Sequence, residues 1–191
     1  MVAVRRRRSD PPPGMASAPD SWRKIFIIGP PGSGKTFWAR RVSQATGIRW
    51  YELDEWLLKA EDDPERTAWQ DSVLAQDAWI IEGIYPWADA MAQADAVLLL
   101  RPPWWVRDFR IVWHRYLWPG AQKLGRTVWR MAVTLRTSHR YAHDHEVRTW
   151  SSAERLGIYV RQVASGQHLL AEVLSHQAPT SDTGPPTPTR A

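Results

Sequence analysis

The chain has 191 residues, with 25 Lys+Arg against 20 Asp+Glu and no cysteine, a length that suits one domain with a substantial core. Without cysteine, disulfides and thiolate metal sites are excluded, so a bound metal must take oxygen or imidazole ligands, and a reducing cytosol is the expected setting. No apolar run approaches the roughly 20 residues that span a bilayer, so a soluble protein is expected, with no membrane partner.

In chain order, residues 1–22 read as a disordered tail. Arginines at positions 5–8 precede a proline run at 11–13, and the apolar stretch that a secretory signal would need is missing behind them. Met15 offers a second plausible start. The domain is expected over residues 23–176. Residues 24–28 are apolar and β-branched and end in a glycine turn, which predicts a buried strand. A helix follows Gly34, with Phe37, Trp38, Val42 and Ala45 as its apolar stripe and Gly47 as its stop. A second strand is predicted over 49–53, a helix over 64–76 with Pro64 in its first turn, a third strand over 78–82 and a fourth over 96–100. Pro102 and Pro103 then precede an arginine- and tryptophan-rich helix over about 104–118, closed by Pro119 and Gly120. More helix is expected over 127–136, a fifth strand over 156–163, and a last helix over 166–174 with Ser165 as N-cap. Residues 177–191, rich in Pro, Thr and Ser, read as a second disordered tail. Strands alternating with helices predict an α/β fold with a parallel sheet covered on both faces.

Charge is segregated along this order. Residues 37–100 carry five Lys+Arg and twelve Asp+Glu, whereas residues 101–163 carry twelve and four. A nucleic-acid surface is one explanation. The preferred one is a site with one wall for magnesium and another for phosphates, because a phosphate-binding motif lies just upstream.

That motif is Gly29-Pro30-Pro31-Gly32-Ser33-Gly34-Lys35-Thr36, which fits G-x-x-x-x-G-K-[ST] at every fixed position, between a predicted strand and a predicted helix. Its glycines let successive backbone N–H groups converge on an anion, and the helix directs its positive end at the same place. Lys35 is expected at the β- and γ-phosphates and Thr36 at magnesium, so ATP and Mg2+ are the expected ligands. Past the second strand, Asp54 falls at the carboxyl edge of the sheet, where ligands of open α/β sheets bind. It is a candidate to accept a proton from a substrate hydroxyl, to anchor the acceptor, or to hold a magnesium-bound water. Glu52 shares its face by strand alternation. Glu82, ending the third strand before Gly83, is the other candidate for the magnesium sphere.

In the helix after the fourth strand, Arg107, Arg110 and His114 share one face, and Arg115 points elsewhere. Arg110 and Arg115 are the candidate pair for a lid over the transferred phosphoryl group, a role that suits arginine's planar fork. Arg101, Arg126, Arg130, Arg136 and Arg140 are further candidates. His139, His143, His145 and Asp144 read as ordinary polar residues of this segment rather than a metal site. Most of the thirteen tryptophans read as core and helix packing.

The order of strand, loop, carboxylate and arginine resembles the P-loop small-molecule kinases, the group that includes adenylate kinase and shikimate kinase. More narrowly, GPPGSGKTFWARRVSQATGI, YELDEW, WIIEGIY and AVLLLRPPWWVRDFRIVWHR look like the bacterial DNA topology modulation proteins, relatives of adenylate kinase. The likeness covers residues 24–115 and returns weakly over 158–173. It implies a three-layer P-loop fold, a five-stranded parallel sheet of order 2-3-1-4-5, and a helical lid at about 104–150. It also implies a triphosphate held by Gly29 through Thr36, an acceptor facing Asp54, and Arg110 near the adenine or the phosphates. Two positions depart from the pattern: Glu52 stands where those relatives usually have histidine, and Arg101 where they often have an acidic residue. The expected activity is transfer of the γ-phosphoryl of ATP to a nucleoside, nucleotide or other hydroxyl compound. Its rivals are an NTP-hydrolysing or NTP-sensing regulator and a nucleic-acid-binding protein.

Overall fold

The computed structural model describes residues 21–54, 56, 59–60, 62–113 and 124–177. Five strands form one parallel sheet: β1 (Lys24–Ile28), β2 (Trp50–Glu52), β3 (Trp79–Gly83), β4 (Ala96–Leu100) and β5 (Val160–Val163). Their order, β2-β3-β1-β4-β5, is the one expected. Among the described residues, six helices connect or flank them: α1 (Lys35–Thr46), α2 (Pro64–Leu74), α3 (Ala88–Gln93), α4 (Trp104–Val112), α5 (Leu124–Leu156) and α6 (Gly166–Ser175).

Strand alternation divides the core between two faces. Ile25, Ile27, Ile80, Leu98 and Leu100 point to the side covered by Ala39 and Val42 of α1 and Leu169 and Val173 of α6. Phe26, Ile28, Ile81, Val97 and Leu99 point to the other, against Val73 of α2, Ala90 and Met91 of α3 and Ala153 of α5. The result is three layers, with the central strands buried on both faces, which explains their uninterrupted apolar runs. Local signals fix several ends. Gly47 closes α1 in the left-handed conformation, Asp63 caps α2 by accepting from the backbone N–H groups of Glu65 and Arg66, and Ser165 caps α6 by accepting from His168 N.

The structure corrects several expectations. Phe37 and Ala45 are exposed rather than part of the apolar stripe of α1; its buried residues are Lys35, Ala39 and Val42. Trp22, assigned to the N-terminal tail, is fully buried and stacks on His176 at 4.0 Å. The helix expected over 127–136 extends through Leu124–Leu156, a length of 33 residues, and Leu156 therefore ends a helix instead of opening β5. In the later part of α5 the buried positions include Ser138, Thr149 and Ala153, which leave no hydrophobic period to read. The short α3 gave no signal, and of the helix expected over 104–118, residues 114–118 lie outside those described. Among the described residues, no helix is long and apolar enough to cross a membrane.

α1 and α6 meet where Trp38 lies against Gly166. A Cβ added at Gly166 would stand 1.9 Å from Trp38 Nε1 and 2.0 Å from Cε2, too close for any contact without moving the indole. Gly166→Ala is therefore expected to cost about 1–3 kcal/mol through overpacking. Urea unfolding at equilibrium measures it, and an unchanged midpoint would show that the indole moves aside freely.

Candidate active site

The phosphate-loop motif occupies the turn between β1 and α1, at the carboxyl edge of the sheet. Gly32 and Gly34 have φ of 77° and 87°, left-handed values that glycine adopts without strain. They also admit α4. A Cβ at Gly32 would meet Arg107 O at 2.7 Å and Ile111 Cγ1 at 2.8 Å, and one at Gly34 would meet Arg110 Nη1 at 2.9 Å. Gly34 is the N-cap of α1 and provides no side-chain cap, which leaves the first-turn N–H groups to an incoming anion.

Beneath the loop lies a compact polar cluster. Lys35 Nζ is 3.1 Å from Asp54 Oδ2 and 3.5 Å from Glu82 Oε2. Thr36 donates its hydroxyl to Glu82 Oε1 at 2.7 Å. Asp54 Oδ1 accepts from Ile84 N at 2.8 Å, so one oxygen of this carboxylate is pinned by backbone while the other faces Lys35. Glu82 is fully buried, and its Oε2 accepts no hydrogen bond. Burial pushes the Glu82 carboxyl above its ordinary pKa; Lys35 and the Thr36 hydroxyl pull it back, and the nearby Asp54 and Glu52 carboxylates push it up further. β2 and β3 place Glu52 and Glu82 opposite one another in register.

Sequence reasoning thus named every member of this cluster, and the structure brings Lys35, Thr36, Asp54 and Glu82 together. The arginines separate. Arg110 reaches the loop and donates from Nη1 to Ser33 O at 2.8 Å. Arg107, expected on the same face, is buried, with its Nε 3.7 Å from Asp108 Oδ1; burial lowers its pKa, Asp108 opposes that shift and Arg101 adds to it. Arg107 thus lies under the loop as part of the α4 contact, not toward the cavity. Arg115 and His114 lie outside the described residues, as do the side chains of Arg126, His143 and His145. Arg130, Arg136 and Arg140 are exposed on α5. His139 bonds Asp108 of α4 at 2.7 Å and Asp144 pairs with Arg140. Among the described residues, no three or more His, Asp or Glu side chains gather around a common point for a metal.

A cavity of about 780 Å³ opens over the loop. Phe37, Trp38, Ile84, Ile111 and Thr134 line it together with residues 31–36 and Arg110. These lining side chains were missed as site residues because helical spacing marks Phe37 and Trp38 as packing, and nothing in the sequence joins Thr134 of α5 to a loop about a hundred residues earlier. The signal available in the sequence was only the position of Phe37 and Trp38 directly after the phosphate motif.

No protein-family model matches the chain, and no curated protein matches it. Three solved structures share its outline. A shikimate kinase from Acinetobacter baumannii in complex with shikimate is 15% identical, with 81% of this chain and 92% of that one covered and a TM-score of 0.48. An uncharacterized protein from Eubacterium ventriosum is 10% identical, with 81% and 97% covered and a TM-score of 0.48. A sugar kinase from Janibacter sp. HTCC2649 is 18% identical, with 80% and 92% covered and a TM-score of 0.44.

The raised pKa of Glu82 has a sign that can be checked. The folded protein holds this proton more tightly than the unfolded chain, so the contribution of Glu82 to stability is fully present below the ordinary value of 4.5 and is lost as pH rises from there through the folded pKa. Glu82→Gln keeps an acceptor for Thr36 and removes that fall. Urea unfolding across this range should show the stability of the parent chain relative to the variant falling as pH rises; parallel profiles would show that Lys35 offsets the burial completely.

Proposed function

We propose that this chain is a magnesium-dependent kinase that moves the γ-phosphoryl group of ATP onto a hydroxyl group of a small acceptor. The observation that carries the reading is the Asp54 carboxylate, fixed through Oδ1 by Ile84 N and facing Lys35 through Oδ2 at the edge of the phosphate loop. A protein that only sequesters a triphosphate has no need of a pinned carboxylate there.

The oxygen donors present suit magnesium. Mg2+ is commonly held by one or two carboxylates together with substrate phosphates and water rather than by a dedicated protein cage, and the Thr36 hydroxyl and the buried Glu82, whose Oε2 accepts no hydrogen bond, match that requirement. When bound, the ion would neutralise phosphate charge. In this reading the loop N–H groups and the α1 N-terminus cradle the phosphates, and Lys35 leaves the carboxylates to pair with them. That release frees Asp54 Oδ2. The acceptor oxygen then attacks the γ-phosphorus, the bond to the β–γ bridging oxygen breaks, ADP departs, and the hydroxyl proton passes to Asp54. Arg110, already on the loop, stays at the phosphate side. The stretch at about 104–150, which includes α4 and most of α5, acts as the lid of the 23–176 unit and limits water's access.

The test is a turnover screen with Mg·ATP and a panel of nucleosides, nucleoside monophosphates and small hydroxy compounds. One acceptor class should give a phosphorylated product. Asp54→Asn should lower kcat by about 10²–10⁴ while ATP affinity stays within about threefold, and Lys35→Ala should abolish product formation. ATP hydrolysis at one rate with every acceptor and with none would replace the kinase with an NTP-hydrolysing regulator.

A further inference from the structure

We infer that Phe37 and Trp38 form an aromatic platform on which the base of the bound nucleoside triphosphate stacks, so that these two residues, and not the phosphate loop alone, determine affinity for a nucleotide over a bare polyphosphate. The inference deepens the triphosphate-binding reading above and rests on it.

The phosphate loop and the aromatic pair line the same cavity. A triphosphate seated on the loop has this cavity beside it to take its ribose and base, and the aromatic rings lining it, among the described residues, are those of Phe37 and Trp38. Phe37 is 56% exposed. An exposed phenylalanine on the first turn of a helix gains nothing from the core, and here it meets Trp38 edge-on, with ring centroids 5.3 Å apart. The indole is held in place by two contacts: its Nε1 edge rests on Gly166 at the start of α6, and it packs against the core on that side of the sheet. The Arg41 guanidinium, one turn further along α1, lies 5.5 Å from the Phe37 ring centroid and 5.7 Å from the Trp38 centroid. That contact adds a cation–π interaction that stiffens the pair. Arg110, bonded to Ser33 O and beside Gly34, borders the same space. A rigid, partly exposed aromatic surface next to a phosphate cradle suits a planar heterocycle, because stacking is tolerant of base identity and requires little reorganisation.

The experiment compares binding of Mg·ATP with binding of magnesium and inorganic triphosphate by calorimetry, using the parent chain, Phe37→Ala and Trp38→Leu. Phe37 is exposed, so its truncation leaves the core intact; triphosphate affinity serves as the folding control for both variants. The parent should bind ATP at least about tenfold more tightly than triphosphate, which corresponds to about 1.4 kcal/mol. Each variant should lose most of that margin while triphosphate affinity stays within about twofold. A parent that binds both ligands equally, or variants that keep the full margin, would overturn the platform and leave the phosphate loop standing. Equal loss of both ligands in Phe37→Ala would assign the ring to loop structure and overturn it too. Failure of the parent to bind either ligand would instead overturn the triphosphate reading itself.

Discussion

The placement of one lysine governs the candidate site. Lys35 is the first residue of α1, reaches beneath the loop, and faces both Asp54 and the fully buried Glu82. A buried carboxylate without such a neighbour is strongly disfavoured, so β3 can end in glutamate within the layer only because α1 delivers a cation to it. The parallel sheet meets that requirement. Its order places β1 beside β3, and β2 beyond β3, so that two carboxyl-edge residues from separate parts of the sequence, Asp54 and Glu82, converge on one ammonium group. The same contact explains why a polar cluster sits directly against the uninterrupted apolar strands.

The second determinant is the close approach of α4 to the loop. Two glycines without a Cβ let the backbone of Arg107 and the side chains of Ile111 and Arg110 contact the turn. Arg110 then donates to a loop carbonyl, which ties the segment after β4 to the segment after β1. His139 of α5 bonds Asp108 of α4, extending the connection to the long helix. The loop after β1 and the long helix are thus joined through one turn of α4.

What could be read from the sequence followed from short-range physics. Apolar β-branched runs ended by glycine or proline marked β1, β3 and β4 closely, and β2 was only slightly overextended, because a strand buried on both faces has little choice of composition. The phosphate motif, Asp54 and Glu82 were legible because their chemistry depends on a loop and two strand ends. The extent of α5 was not. Its buried Ser138 and Thr149 hide the inward face, although the absence of glycine and proline between Thr127 and Leu156 is compatible with an unbroken helix. Arg107 and Arg110 looked equivalent at helical spacing, but three residues correspond to about 300° of rotation. That offset is enough to bury one under the loop and leave the other at the cavity.

Trp22 and the end of α6 carry a different consequence. Trp22 N donates to His176 O, Gln177 Nε2 donates to Trp22 O, and the Trp22 and His176 rings are stacked. Residue 22, just before β1, and residues 176–177, just after α6, thus meet at one place, on the rim of the sheet opposite the cavity. A unit whose ends meet in this way can be carried within a surface loop of another protein, or have its connectivity rewired by a short bridge.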